Sequence, residues 1–248
     1  MTNFAPMRNY TFGLADEFIE QHGLRPPFID IGCGQGDFSR HLATRHGWTG
    51  VAADSSPGAA SAARAKLSGT GVQVDERPIE TLEGMFNTVV LSTVIEHIRE
   101  DDVALGQIRA LLPAAPGAGH LLMSMPTNPE REWRWDDDFY GHYRRYTRDD
   151  VDSLLQGAGF RLLDMWDYTF PVFWAMRRVY TRVLPAKTPP SEVKEASSAE
   201  SSLLNPWGEG RQSKLIDKIP VWGAVGAVQR RYRAGGRGFE AIAVATTA

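Results

Sequence analysis

The sequence has little cysteine, no long apolar run and almost no net charge. Cys33 is the one cysteine among 248 residues, so no intramolecular disulfide can form. That fits a reducing compartment, and a cytoplasmic location is expected. No apolar stretch approaches the ~20 residues of a membrane span. The opening residues, MTNFAPMRNY, lack the basic-then-apolar pattern of a secretory signal. Lysine and arginine total 27 against 30 acids, a sum of −3. Such a balance gives no long-range pull toward nucleic acid or anionic lipid, so neither is an expected partner. What is present is 42% hydrophobic and 23% charged residues, the make-up of a globular chain able to bury a core without staples. One domain across 1–248 is expected.

Apolar runs and helical spacings alternate along the chain. Helical patterns fall over Tyr10–His22, 36–46, Pro57–Leu67, Asp101–Leu112 and Thr147–Gln156. Asp101 or Asp102 is a candidate N-cap with Pro113 as the stop. Thr147 with Asp150 reads as a capping box. Short strands are expected at 28–31, 51–53, 72–74, 88–92 and 120–125, with a closing strand at 239–245. This alternation predicts an α/β fold with a parallel sheet between helices. Ligands of such sheets sit at the carboxyl ends of the strands. The stretch 185–212 is rich in Pro, Ser, Glu and Lys and reads as a flexible insert.

Chemistry concentrates just after the strands. Asp30-Ile31-Gly32-Cys33-Gly34-Gln35-Gly36 follows the first strand and opens a helix. Glycines there permit positive φ and close approach of a ligand. Asp54 ends the next strand, where a carboxylate can accept from two ribose hydroxyls. A nicotinamide fingerprint would need GxGxxG, but position 37 is Asp. Three nearby acids also suit a pyrophosphate poorly.

On these residues the sequence resembles the class I S-adenosylmethionine-dependent methyltransferases, whose first motif is an acid followed by GxGxG. The resemblance implies a doubly wound, mostly parallel, seven-stranded Rossmann-like sheet with an antiparallel last strand. It implies that Asp30, Gly32, Cys33, Gly34 and Gly36 hold the methionine part of the cofactor and that Asp54 and Ser55 hold the ribose. Ile79 and Glu80, in RPIETL, match the segment that contacts adenine. Ser92, Thr93 and His97, in FNTVVLSTVIEHI, would border the cofactor. Relatives acting on ubiquinone precursors read Glu-x-x-Glu-His here and can bind a divalent metal. Thr93 replaces the first Glu, so no metal is expected; Glu96 and His97 are expected to bond neighbouring backbone.

Residues 127–146 form the expected substrate-side loop. Gly141, His142, Arg144 and Tyr146 match a family run at this place. Trp133, Trp135, Tyr140, Tyr143, Arg144 and Arg145 would line an acceptor pocket. His142 is the candidate base, since imidazole titrates near neutrality. Arg8 and Tyr10 are placed to close over the cofactor. Cys33 reads as a small side chain in the turn. Arg230, Arg231, Arg233 and Arg237 read as a solvated helix end.

The expected function is methyl transfer from S-adenosylmethionine, with S-adenosylhomocysteine as product, to O or N of a small molecule, as in specialised metabolism. No Asp/Asn-Pro-Pro-aromatic run follows the fourth strand and no Pro-Cys follows the fifth, which speaks against base methylation in nucleic acid. A nicotinamide oxidoreductase and a non-catalytic cofactor-binding module are the alternatives.

Overall fold

Short apolar strands alternate with helices that carry one apolar face, and the chain folds them into a helix-sheet-helix sandwich. The computed structural model describes residues 5–189 and 221–248. Its strands are β1 (Phe28–Ile31), β2 (Gly50–Ala53), β3 (Val72–Asp75), β4 (Thr88–Ser92), β5 (His120–Pro126), β6 (Phe160–Asp167) and β7 (Glu240–Thr247). Its helices are α1 (Ala5–His22), α2 (Asp37–His46), α3 (Pro57–Leu67), α4 (Asp101–Ala110), α5 (Pro129–Glu132), α6 (Trp135–Tyr140), α7 (Arg148–Gly157), α8 (Val172–Val183) and α9 (Val221–Arg230).

The sheet order is β3-β2-β1-β4-β5-β7-β6. Strands β1 to β5 pair in parallel, and β7 runs antiparallel between β5 and β6. Strand side chains alternate faces, and two separate cores result. Phe28, Val90, Leu122 and Val244 pack with Leu14 and Phe18 of α1 and Leu42 of α2. Ile29, Leu91, Met123 and Ala243 pack with Leu105 and Ile108 of α4 and Leu155 of α7 on the other face. The order reverses between β1 and β4, which opens a crevice at the carboxyl ends of these strands.

Several boundaries differ from the expected ones. Helix α1 begins five residues earlier than Tyr10. Glu100, not Asp101 or Asp102, takes the cap position of α4; Asp101 instead accepts the Tyr146 hydroxyl at 2.8 Å. The Thr147–Asp150 capping box is present. Strand β6 has no counterpart among the strands expected from the pattern. It is one of the two edge strands, and a register shift between Leu162 and Asp164 breaks its alternation. The segment 127–146 is not a plain loop, since α5 and α6 lie within it. Most of 185–212 lies outside the described residues; 185–189 has no regular structure. Among the described residues, no helix is long and apolar enough to cross a membrane.

Candidate active site

The crevice at the strand ends deepens into a cavity of about 780 Å³ that runs from the β1–α2 glycine loop to a buried cluster of charge beneath α6. That volume lies within the range of small-molecule sites.

The glycine-loop end is made largely of backbone. Gly32 and Cys33 donate to the Ala53 carbonyl at 2.8 and 3.0 Å, tying the turn to β2. Gly32, Gly34 and Gly36 all have positive φ, the region that favours glycine. A Cβ at Gly32 would stand 2.6 Å from Val94 Cγ2, whereas one at Gly34 would meet nothing within 4 Å. Gly34 therefore leaves a gap that a ligand can enter. Gly36 is set back from the cavity against Ala63 and Leu67, where it caps α2.

Asp30 and Asp54 flank this turn. Asp30 is buried, with Oδ2 accepting the Ser39 hydroxyl at 2.6 Å. Its Oδ1 has no hydrogen-bond partner among the described residues. Burial pushes the Asp30 carboxyl up to about 7, with Asp54 adding repulsion and Ser39 opposing both. Asp54 accepts from the Gly34 and Ser56 amides at 2.8 and 2.9 Å; burial raises its pKa, and those amides pull the other way. Ser55, Ile79 and Glu80 extend the same wall. The Cys33 thiol is pushed up by burial, the behaviour of an inert side chain rather than a nucleophile.

Ser92, Thr93 and His97 line the middle of the cavity. Thr93 has φ 54, a strained value for a β-branched residue. Its amide donates to the Ser124 carbonyl at 3.0 Å, which ties the bend after β4 to β5.

The far end is built from side chains. Asp137 Oδ1 meets His142 Nδ1 at 2.8 Å and accepts from Arg145 Nε at 2.8 Å. Its Oδ2 accepts from Arg177 at 2.9 Å. Arg177 also reaches Asp136 at 2.6 and 2.9 Å. Burial alone would raise the Asp137 carboxyl, but His142, Arg145 and Arg177 outweigh it and hold it well below the usual carboxylate range. An ionised carboxylate only accepts, so the His142 Nδ1–H donates and Nε2 is the ring nitrogen with the lone pair. Burial lowers the His142 pKa despite this partner.

Glu96 is 0% exposed, and neither of its carboxyl oxygens has a hydrogen-bond partner among the described residues. The expected backbone bonding is thus absent for Glu96. His97 Nδ1 likewise has no hydrogen-bond partner among the described residues, and the nearby Gly141 backbone favours its charged form. Burial raises the Glu96 carboxyl well above its ordinary value and lowers His97 to about 3. Glu96, His97 and His142 offer ligand atoms within 4.8 Å of one another, an arrangement that could hold a cation.

Not all the expected pocket residues meet here. Tyr140, His142 and Arg145 line the cavity; Trp133, Trp135, Tyr143 and Arg144 do not. Trp133 is 38% exposed. Trp135 donates to the Thr181 carbonyl at 3.0 Å, packing α6 on α8. Tyr143 stacks under Arg99, and Arg144 pairs with Asp101 at 2.5 Å. Trp135, Tyr143 and Arg144 hold the 127–146 segment to its neighbours. Arg8 lines the cavity and pairs with Asp37 at 3.5 Å, while Tyr10 packs on Phe173 instead. Arg230 and Arg233 pair with Glu17 of α1 rather than standing in solvent alone.

Glu96, Asp136, Asp137, Tyr168, Arg177 and Glu240 are among the cavity residues that had no expected site role. The Tyr168 hydroxyl donates to Glu240 in the floor of the cavity. A lone acid or arginine inside an apolar stretch was the available signal, since such groups are rarely buried without a partner.

The methyltransferase-domain family model matches residues 7–164 of the chain, more than half of it. No curated protein matches by sequence. Among solved structures, the [4+2]-cyclase SpnF has a TM-score of 0.58 at 18% identity, covering 95% of this chain and 80% of that one. The 1,6-didemethyltoxoflavin-N1-methyltransferase of Burkholderia thailandensis has a TM-score of 0.54 at 15% identity, covering 99% and 80%. LepI in complex with SAM reaches 0.49 at 20% identity; the chain spans 41% of its length. The first two likenesses establish the fold, and a fold by itself does not fix a reaction. The family match does more: the chain belongs to the methyltransferase-domain family, the S-adenosylmethionine-dependent methyltransferases whose first motif its Asp30–Gly36 turn resembles.

Proposed function

We propose that the chain transfers the methyl group of S-adenosylmethionine to an oxygen or nitrogen of a small-molecule acceptor held at the buried end of the cavity. The observation that carries this reading is the continuity of one cavity from the open Gly34 turn to the His142–Asp137 pair. The cofactor fits the first end. Asp30 Oδ1 is a buried acceptor without a partner, suited to an ammonium. Gly32, Cys33 and Gly34 let the methionine part lie against backbone. Asp54 with Ser55 would accept the ribose hydroxyls, and Ile79 with Glu80 would face the adenine. Ser92, Thr93 and His97 would border the reacting centre.

The bound sulfonium supplies an already activated methyl group. The protein's work is then to align the acceptor, which contributes ~7–11 kcal/mol when the geometry is good. Tyr140 and Arg145 bound the acceptor space, and His142 Nε2 takes the proton of an acceptor that must lose one. The acceptor end is buried, which favours a free small molecule over a group within a polymer. The 1,6-didemethyltoxoflavin-N1-methyltransferase, similar in fold, holds 1,6-didemethyltoxoflavin together with S-adenosylhomocysteine. A soluble enzyme of specialised metabolism is the setting we infer, and 127–146 is its acceptor-side cover.

The test pairs calorimetry with turnover. S-adenosylhomocysteine should bind at micromolar Kd or tighter, about −8 kcal/mol. With radiolabelled donor and a panel of phenols and amines, His142→Ala should slow transfer by about 10²–10⁴-fold, the usual worth of a positioned base, while leaving product affinity nearly unchanged. No binding by a folded, ligand-free sample overturns the cofactor assignment. Equal turnover by the variant removes His142 from the chemistry.

A further inference from the structure

A second cluster of donor atoms lies outside the cavity, on the far side of its wall. Asp16 of α1 faces His41 and His46 of α2. Asp16 Oδ1 lies 2.7 Å from His41 Nε2 and 2.6 Å from His46 Nε2. The three side chains are 15–20% exposed, so one side of the cluster meets solvent and the other meets protein. That inner side is aromatic: Phe12 and Phe38 contact the His41 ring and Trp48 contacts the His46 ring. Arg45 approaches the other carboxylate oxygen at 3.8 Å, but its side chain is 67% exposed, so its charge is largely screened. Oδ1 is left to the two imidazoles.

We propose that Asp16, His41 and His46 form a binding site for a divalent transition metal of the zinc class, which clasps α1 to α2. Two imidazole nitrogens and one carboxylate oxygen are a donor set that such ions prefer over calcium or magnesium. The three ligand atoms already lie within 4.8 Å of one another. Tetrahedral zinc with bonds near 2.0–2.1 Å sets its ligands about 3.3 Å apart, so each imidazole would draw back from the carboxylate by about 0.7 Å or less. Each ring would carry its proton on Nδ1 and present the Nε2 lone pair. Water from the exposed side would fill the fourth position. The aromatic shell limits the rotation of both rings, which helps hold a first shell of ligands.

The place of the cluster gives the clasp a consequence. Met7, Arg8, Thr11 and Phe12 of α1 line the cavity, and Asp37 and Phe38 open α2 directly after the glycine turn. Between these helices lie the Arg8–Asp37 pair and the Phe12–Phe38 contact. A metal at Asp16 would hold the α1 wall against the segment that carries the turn. Ligand at the turn and metal at the clasp would then favour each other by the same factor.

The test uses the full chain without a histidine tag, stripped with chelator and dialysed against zinc. One zinc per chain is expected, with a Kd at or below about 10 µM and a raised Tm. Cobalt substitution should give the intense visible bands of a tetrahedral site. His41→Gln, His46→Gln and Asp16→Ala should each lose the zinc and the bands. Glu96→Gln should keep both, because Glu96 belongs to the separate cluster in the cavity. Retained S-adenosylhomocysteine binding, or an unchanged near-ultraviolet spectrum, shows that a variant is folded. Absence of saturable zinc binding overturns the site. So does zinc that survives His46→Gln in a chain that also carries Glu96→Gln, or zinc lost on Glu96→Gln alone. None of these results depends on the methyl acceptor.

Discussion

At the glycine-loop end, the cavity wall is mostly backbone, with three positive-φ glycines and two carboxylates that bond amides or one hydroxyl. At the α6 end, the wall is mostly side chain: Asp136, Asp137, Arg145 and Arg177 interlock with distances of 2.6–2.9 Å. The first end adapts to a fixed ligand by leaving space, as at Gly34. The second is a set of buried charges drawn from α6, from the turn before α7 and, 40 residues on, from α8. Backbone sites tolerate side-chain drift around them, because the contacting atoms are in every residue. Side-chain sites allow a new acceptor to be reached by a few substitutions, yet each change risks leaving a charge buried alone. In the proposed function, this difference lets one end serve a common cofactor and the other an individual acceptor.

The difference is sharpest in how each end should respond to one altered residue. Asp137→Asn removes the charge on which His142, Arg145 and Arg177 converge. Breaking a buried pair by removing one partner typically costs about 3–5 kcal/mol, so a matching fall in the urea unfolding free energy is expected. A loss below about 1 kcal/mol, the value of an exposed pair, would show the network to be no more than surface-like. The opposite end should lose less stability and should also lose binding. Gly34→Ala costs about 1–2 kcal/mol for its left-handed backbone, with no clash, since nothing lies within 4 Å of the added carbon. Its methyl would occupy ligand space, so affinity for S-adenosylhomocysteine should fall at least about tenfold, or 1.4 kcal/mol. Unchanged affinity by calorimetry would mean that the ligand does not approach Gly34.

The two ends were also unequally legible. Strands β1 to β5 each end an apolar run at a turn residue, and the acid-then-glycine spacing is local, so the first end could be read from adjacent positions. The sheet's outer edge could not: Asp164 and the bulge beside it interrupt the alternation of β6. The charged floor was hidden for a different reason. Arg177 meets Asp136 and Asp137 across 40 residues of sequence or more, and Glu240 comes from the last strand to meet Tyr168. Local pattern carries helix faces and turns, not long-range charge pairing. The aromatic density of 127–146 gave Trp133, Trp135 and Tyr143 as pocket residues, but aromatics equally serve packing; Trp135 is spent on α8. Glu96 shows the same limit, because its total burial follows from segments that fold over it from 127–146.

The last effect is read in protons and concerns the carboxyl of Asp30. Its carboxyl sits at about 7 in the ligand-free fold, against about 3.9 when unfolded. The folded state therefore binds more protons than the unfolded one between these values. Asp30's contribution to stability falls as pH rises from about 4 to about 7 and is level above that. Asp54 is shifted in the same direction. A ligand ammonium beside the unpartnered Oδ1 would favour the carboxylate and expel the proton. Calorimetry of S-adenosylhomocysteine at about pH 6, in buffers of different ionisation enthalpy, should therefore show proton release on binding. Asp30→Asn should reduce that release and flatten the decline in stability between pH 4 and 7. Equal heats in every buffer for the native chain would place the ligand ammonium away from Asp30. The backbone-built end would then bind its ligand without drawing on the one buried acceptor it leaves open.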